Sequence, residues 1–130
     1  MLDRANLPAT IVLVEDDEDI ARLIGFHLKK AGFATRWFRT ATDVITECES
    51  QSPALFLLDL MLPGIDGFHL CRSIRKHGQL GRLPIIVLTA RTDRRDRERA
   101  FESGVDDYVT KPFRPADLIS RVRALCEPEC

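Results

Sequence analysis

Long apolar runs, an excess of one charge sign and a leader segment are all missing from this sequence. No apolar stretch approaches the ~20 residues that a membrane-spanning helix needs. The first ten residues carry no apolar core of a secretory signal. The formal net charge is only -1, which gives no general attraction to nucleic acid or to anionic lipid. These absences predict a cytoplasmic domain that contacts neither a membrane nor nucleic acid directly.

Cysteine is scarce, and its spacing does not predict a metal site. The four cysteines are Cys48, Cys71, Cys126 and Cys130, and no two of them form the C-x-x-C pair typical of zinc ligands. Cys48 and Cys71 fall on apolar helical stripes, where cysteine usually packs as a small apolar side chain. An even number of cysteines allows a disulfide framework, but we expect free thiols in a reducing compartment.

The length of 130 residues suits a single domain. We expect an N-terminal arm over residues 1–9, a folded domain over residues 10–126 and a tail or linker stub over residues 127–130. Five short apolar runs within the domain predict β-strands. These predicted strands are Ile11–Val14, Ala34–Phe38, Leu55–Leu58, Ile85–Leu88 and Tyr108–Val109.

A helical pattern with an apolar stripe follows each predicted strand. Asp16 or Asp17 is placed to cap the first helix and Thr40 the second, while Pro115 suits the first turn of the fifth. Five strands alternating with five helices predict an α/β, doubly wound parallel sheet with helices on both faces. In this class of fold the ligand site lies beyond the carboxyl ends of the strands.

Charged and hydroxyl side chains stand at those predicted strand ends. They are Glu15, Asp16 and Asp17 after the first strand, Asp59 after the third, Thr89 at the end of the fourth and Lys111 after the fifth. Acidic residues in such places often only cap the next helix, and Asp17 fits that role. Neighbouring carboxylates are costly, however, unless cations separate them. Lys111 supplies one positive charge, and oxygen ligands favour Mg²⁺ as the second cation.

Four stretches in this order resemble the receiver domain of two-component response regulators. They are residues 11–17 (IVLVEDD), 57–67 (LLDLMLPGIDG), 84–90 (PIIVLTA) and 104–113 (GVDDYVTKPF). The resemblance covers nearly the whole chain and implies a flavodoxin-like sheet with strand order 2-1-3-4-5. It also implies a switch that catalyses its own phosphorylation and slow dephosphorylation, with a sensor histidine kinase or phosphotransfer protein as the phosphoryl donor.

The resemblance assigns roles to individual residues. It implies that Asp59 is the phosphoacceptor, that Asp16 binds Mg²⁺ directly and that Glu15 often acts through water. It further implies a metal contact from the backbone carbonyl of Met61, phosphoryl contacts from Thr89 and Lys111, a switch formed by Thr89 and Tyr108, and a cis peptide between Lys111 and Pro112. Trp37, at the end of the second strand, is expected only to pack.

Charged residues of the fourth helix, fifth strand and fifth helix resemble those that pair across the two-fold dimer of winged-helix transcriptional regulators. The implied pairs are Arg97 with Asp117, Asp107 with Arg121, and Glu102 with Arg123, around an apolar centre of Phe101 and Ile119. The alternative is that these are ordinary solvated charges. Arginines in the fourth helix alternate with acidic residues, which favours a solvated face or a protein interface over nucleic-acid contact.

Three other functions fit parts of the pattern. An FMN carrier shares the fold class, but its phosphate would meet the acidic loop of residues 15–19. A phosphatase of the haloacid dehalogenase type needs a second Asp two residues after the first, where this chain has Met61. A degenerate receiver used only for interaction would not need Glu15, Asp16, Asp59, Thr89 and Lys111 together.

Overall fold

The computed structural model of the chain describes residues 8–62, 64 and 66–126. The strands are β1 (Thr10–Val14), β2 (Ala34–Phe38), β3 (Leu55–Leu58), β4 (Ile85–Thr89) and β5 (Asp107–Thr110). The helices are α1 (Glu18–Lys30), α2 (Val44–Ser50), α3 (Gly67–Lys76), α4 (Arg94–Glu102) and α5 (Pro115–Cys126). Most of the predicted arm and all of the predicted tail lie outside the described residues.

The five strands form one parallel sheet in the order β2-β1-β3-β4-β5. The predicted α/β fold and its strand order are therefore confirmed. Strands β1, β3 and β4 are apolar and almost entirely buried, because helices cover both faces of the sheet. No helix among the described residues has the length and apolar character needed to cross a membrane.

Successive side chains along each central strand enter two different cores. Val12 and Phe56 pack with α2, α3 and α4 on one face, while Leu13 and Leu57 pack with α1 and α5 on the other. Cys48 and Cys71 are buried free thiols of the first core, and burial raises the pKa of Cys71 to about 12. Cys48 and Cys71 thus match the prediction of free thiols.

The helix starts confirm one predicted cap and contradict another. Asp17 caps α1, since its side chain accepts a hydrogen bond from the N–H of Ile20 at 3.1 Å. Thr40 does not cap α2, because its hydroxyl accepts a hydrogen bond from the N–H of Thr42, in a turn that precedes the helix. The helix begins only at Val44, so the predicted cap lay too early in the chain.

Candidate functional site

Carboxylates from two neighbouring strands meet at one edge of the sheet. Glu15 and Asp59 follow β1 and β3, whose last residues Val14 and Leu58 are paired in register. Both side chains are buried, with residue exposures of 1% and 5%, whereas Asp16 is exposed. Carboxylate oxygens of Glu15, Asp16 and Asp59 lie within 4.8 Å of one another. The structure thus brings the three predicted acidic residues together.

Lys111 joins this cluster from the far side of the sheet. Its Nζ lies 2.7 Å from Oε1 of Glu15 and 2.8 Å from Oδ2 of Asp59. The ammonium group therefore binds both buried carboxylates at once. The Lys111–Pro112 peptide is cis, as the resemblance implied.

The charges of the cluster do not balance without a further cation. Three carboxylates and one ammonium leave two negative charges, which a divalent ion would neutralise. Burial raises the pKa of Glu15, and the hydrogen bond from Lys111 only partly offsets this rise. Burial lowers the pKa of Lys111, but the hydrogen bonds to Asp59 and Glu15, together with the charges of these two carboxylates, raise that pKa above its ordinary value. An all-oxygen donor set with this charge suits Mg²⁺.

The segment after Asp59 is held close to its carboxylate. Oδ1 of Asp59 accepts a hydrogen bond from the N–H of Met61 at 2.9 Å. Gly67, the first residue of α3, packs against the same segment, and a Cβ atom there would lie 2.5 Å from Cα of Leu60. A side chain at position 67 would thus push α3 away from the segment. A close approach of this kind leaves no local signal in the sequence.

Thr89 and Tyr108 both bind the backbone of Arg91, on the segment between β4 and α4. Oγ1 of Thr89 is buried and accepts a hydrogen bond from the N–H of Arg91 at 3.2 Å. The Tyr108 hydroxyl donates to the carbonyl of Arg91 at 2.8 Å, and burial raises the pKa of this phenol. The two predicted switch residues are thus connected through one residue.

Trp37 has a contact that sequence reasoning missed. Its Nε1–H donates a hydrogen bond to the backbone carbonyl of Glu15 at 2.8 Å. Trp37 was expected only to pack, but β2 lies beside β1, and the register pairs Trp37 with Leu13. The predicted strand order indicated only that Trp37 would lie near the acidic loop, and nothing in the sequence indicated the hydrogen bond.

The charged residues of α4, β5 and α5 form ion pairs within the chain. Arg121 binds Asp107 at 2.8 Å and Asp117 at 3.1 Å, and hydrogen bonds to these two carboxylates raise its pKa. The Arg97 guanidinium lies 5.8 Å from the ring centre of Phe101, which is 42% exposed.

Two other residues assigned to this face have contacts elsewhere. Arg123 donates a hydrogen bond to the carbonyl of Ala31, directly after α1. Ile119 is half-buried against the core shared by α1 and α5. Their contacts thus point toward α1, and Glu102 is exposed at the end of α4.

The response regulator receiver domain family matches residues 11–123, nearly the whole described chain. The chain belongs to this family. Its curated relatives include the transcriptional regulatory protein GltR of Pseudomonas aeruginosa, 44% identical over 116 residues, which are 89% of this chain and 48% of GltR. The DNA-binding response regulator MtrA of Mycobacterium tuberculosis is 42% identical over 88% of this chain and 49% of its own length. The chain thus spans about half the length of these relatives.

Solved receiver domains have the same architecture. A putative response regulator from Chloroflexus aurantiacus superposes with a TM-score of 0.88 at 34% identity, covering 93% of this chain and 99% of that one. The BeF3-activated N-terminal receiver domain of Klebsiella pneumoniae RstA gives 0.82 at 33% identity, covering 92% and 99%. As a receiver domain of two-component response regulators, the chain is a signalling domain whose acidic pocket fits Mg²⁺ and a phosphoacceptor aspartate. The family match sets aside the FMN carrier and the phosphatase.

Proposed function

We propose that this receiver domain accepts a phosphoryl group on Asp59 and that Mg²⁺ assists the transfer. The observation that carries the proposal is the position of the Asp59 carboxylate. It is buried at the carboxyl edge of the sheet, 2.8 Å from the Lys111 ammonium and clustered with Glu15 and Asp16. An intact set of this kind argues against a degenerate receiver that serves only as an interaction module.

Each group at the site has a chemical task in this proposal. One carboxylate oxygen of Asp59 attacks phosphorus, and the bond from phosphorus to the donor breaks as the new P–O bond forms. Asp16, Glu15 and the Met61 carbonyl would hold Mg²⁺, which would neutralise charge on the transferred oxygens. Lys111 would exchange part of its ion pairing for a phosphoryl oxygen, and the Thr89 hydroxyl would turn toward the same group. Hydrolysis of the acyl phosphate, catalysed by the same pocket, would reset the switch slowly.

Receiver domains of response regulators interact with histidine kinases, and we assign the donor of this chain to that class or to a phosphotransfer protein. The donor's phosphohistidine must approach the exposed side of the acidic edge. Helix α1 begins three residues after Glu15 and presents Leu23 and Phe26, which are 44% and 63% exposed. Exposed apolar side chains on the helix that begins at the acidic loop suit a protein donor that docks on α1. The encounter would take place in the cytoplasm.

Incubation with acetyl phosphate and Mg²⁺ tests the proposal without the cognate kinase. Intact mass spectrometry should show one added phosphoryl group, and EDTA should prevent its addition. Hydroxylamine should then remove the group, because it cleaves acyl phosphates. A protein that stays unlabelled at saturating donor and Mg²⁺ would contradict the proposal.

Asp16 and Asp17 should respond differently to truncation. Asp16→Ala should raise the Mg²⁺ concentration for half-maximal labelling at least about tenfold, because it removes a metal ligand. Asp17→Ala should leave that concentration nearly unchanged and cost about 1 kcal/mol of stability, since Asp17 caps α1. Labelling across a Mg²⁺ titration, with thermal unfolding of both variants, checks the prediction. The opposite order of effects would show that the assignment of the acidic pair is wrong by one residue.

We further propose that phosphorylation favours a two-fold dimer through the face formed by α4, β5 and α5. Arg97 and Asp117, Asp107 and Arg121, and Glu102 and Arg123 would pair across it. Arg121 already binds Asp107 and Asp117 within the chain, so dimerisation would exchange internal pairs for equivalent external ones. In an isologous interface each of these pairs would form twice, because both copies present the same surface. Exposed Phe101 would supply apolar contact, with Ile119 as its predicted partner.

Arg121→Glu should prevent this dimer, because it places like charges opposite Asp107. We expect beryllofluoride to convert the wild type to dimer at high micromolar concentration and the variant to stay monomeric, as measured by sedimentation velocity. Arg22→Glu is a charge-matched control on α1, where Arg22 is well exposed, and it should dimerise normally. Equal dimerisation of Arg121→Glu and wild type would place the interface elsewhere.

A further inference from the structure

Trp37 is fixed against the loop that carries the acidic pair. It lies in β2, the edge strand beside β1, and its indole N–H donates to the carbonyl of Glu15 at 2.8 Å. The backbone carbonyl of Phe38, the next residue of β2, accepts a hydrogen bond from the N–H of Glu15 at 3.0 Å. Both backbone polar groups of Glu15 are therefore bound by β2, one through the backbone and one through the tryptophan side chain.

The carbonyl that Trp37 binds belongs to the peptide that joins Glu15 to Asp16. A peptide group is planar, so holding its oxygen fixes the direction in which the chain enters Asp16. The Glu15 side chain has other partners, since Lys111 binds Oε1 and the N–H of Asp17 binds Oε2. Asp16 is exposed, and its side chain makes no hydrogen bond or ion pair within residues 8–62, 64 and 66–126. Its direction therefore depends on its backbone.

The indole is itself held in place. The Arg39 guanidinium lies 4.6 Å from the centre of the Trp37 ring, and Nη2 of Arg39 lies 3.0 Å from Oε1 of Glu18, the first residue of α1. Stacking of this kind limits rotation of the ring. The contacts from Trp37 and Arg39 thus reach the acidic loop at both of its ends.

We propose that Trp37 is a positioning residue of the metal site, which orients the Glu15–Asp16 peptide so that Asp16 faces Asp59 before a divalent cation binds. The proposal rests on the function proposed above, in which Glu15 and Asp16 hold the cation. Trp37 does not touch the cation. It lowers the cost of ordering the loop, so its loss should weaken metal binding without removing a ligand.

Mn²⁺ is a suitable probe, because it accepts the same oxygen ligands and its free concentration is measurable by electron paramagnetic resonance. We would compare wild type with Trp37→Phe, which lacks the N–H donor. A second variant carries 3-benzothienylalanine at position 37, which keeps the shape of the indole and replaces the N–H with sulfur. Arg36→Gln is the control, since Arg36 precedes Trp37 in β2 and binds the carbonyl of Gln51 before β3.

Both replacements at position 37 should raise the Mn²⁺ dissociation constant about three- to tenfold, and Arg36→Gln should change it less than about twofold. The Mg²⁺ concentration for half-maximal labelling by acetyl phosphate should rise in parallel, with the maximal rate preserved. If Trp37 only packed, the two replacements would lower the stability of the protein. They would not weaken metal binding while leaving the maximal labelling rate unchanged.

The outcomes separate this inference from the proposed function. If wild type binds no Mn²⁺, the proposed metal site itself is wrong. If wild type binds Mn²⁺ and the benzothienylalanine variant binds it equally well, Trp37 does not position the site, although the site stands. Should Trp37→Phe fail to fold, the benzothienylalanine variant still decides, because it preserves the packing of the ring.

Discussion

Replacing Asp59 with Asn will abolish phosphorylation by acetyl phosphate. The neutral amide is a far weaker nucleophile than the carboxylate and loses the charge that attracts Lys111 at 2.8 Å. We expect the rate of labelling to fall at least about 100-fold, to the background of the assay. Intact mass spectrometry over a time course measures this loss directly.

The control for this loss is Asp19→Asn, which removes an exposed carboxylate in the first turn of α1. Its labelling should match that of wild type. Both variants should give the circular dichroism spectrum of the folded wild type, because asparagine is nearly isosteric with aspartate. Labelling of Asp59→Asn at the wild-type rate would mean that the phosphoryl group is carried elsewhere.

Replacing Arg75 with Ala will cause the second large effect, a loss of stability. The Arg75 guanidinium binds the carbonyls of Gly81, Leu83 and Gly104 and the carboxylate of Asp106. It thus ties the end of α3 to the segments that precede β4 and β5. Truncation leaves several partly buried acceptors unpaired, and we expect the free energy of unfolding to fall by about 2–3 kcal/mol.

Lys76→Ala is the matched control, because Lys76 is the next residue of α3 and is exposed. Urea unfolding followed by circular dichroism should show a change below about 0.5 kcal/mol for this variant. If the two truncations cost the same, the contacts of Arg75 contribute nothing beyond those of an ordinary surface residue. Phosphorylation of folded Arg75→Ala should persist, since Arg75 lies at the end of the sheet opposite Asp59.

Much of the fold and of the acidic site was predictable, because short-range patterns determine them. Apolar runs such as Leu55–Leu58 identify buried strands, and Asp17 identifies the start of α1. Parallel strands bring their carboxyl ends to one edge, so Glu15 and Asp59 were expected to meet there. The residue at which each strand ends determines which side chains lie at that edge.

Other contacts could not be predicted, because they join segments far apart in sequence through side-chain geometry. Trp37 and Glu15 are 22 residues apart, and Arg75 and Gly104 are 29 apart. Whether a tryptophan N–H meets a particular carbonyl depends on its rotamer, which no sequence pattern specifies. The close contact at Gly67 could not be predicted either. Position 67 has no room for a Cβ atom because the backbone of Leu60 packs against it.

The central claim is that Asp59 carries the phosphoryl group, and chemical mapping of the modified residue tests it most directly. Borohydride reduces an acyl phosphate to an alcohol and releases the phosphate, so a phosphorylated aspartate becomes homoserine. After labelling with acetyl phosphate and Mg²⁺, tandem mass spectrometry of the reduced protein should find homoserine at position 59 and at no other aspartate. Homoserine at Asp16 or Asp17 with Asp59 unchanged, or no homoserine in a labelled protein, would contradict the account.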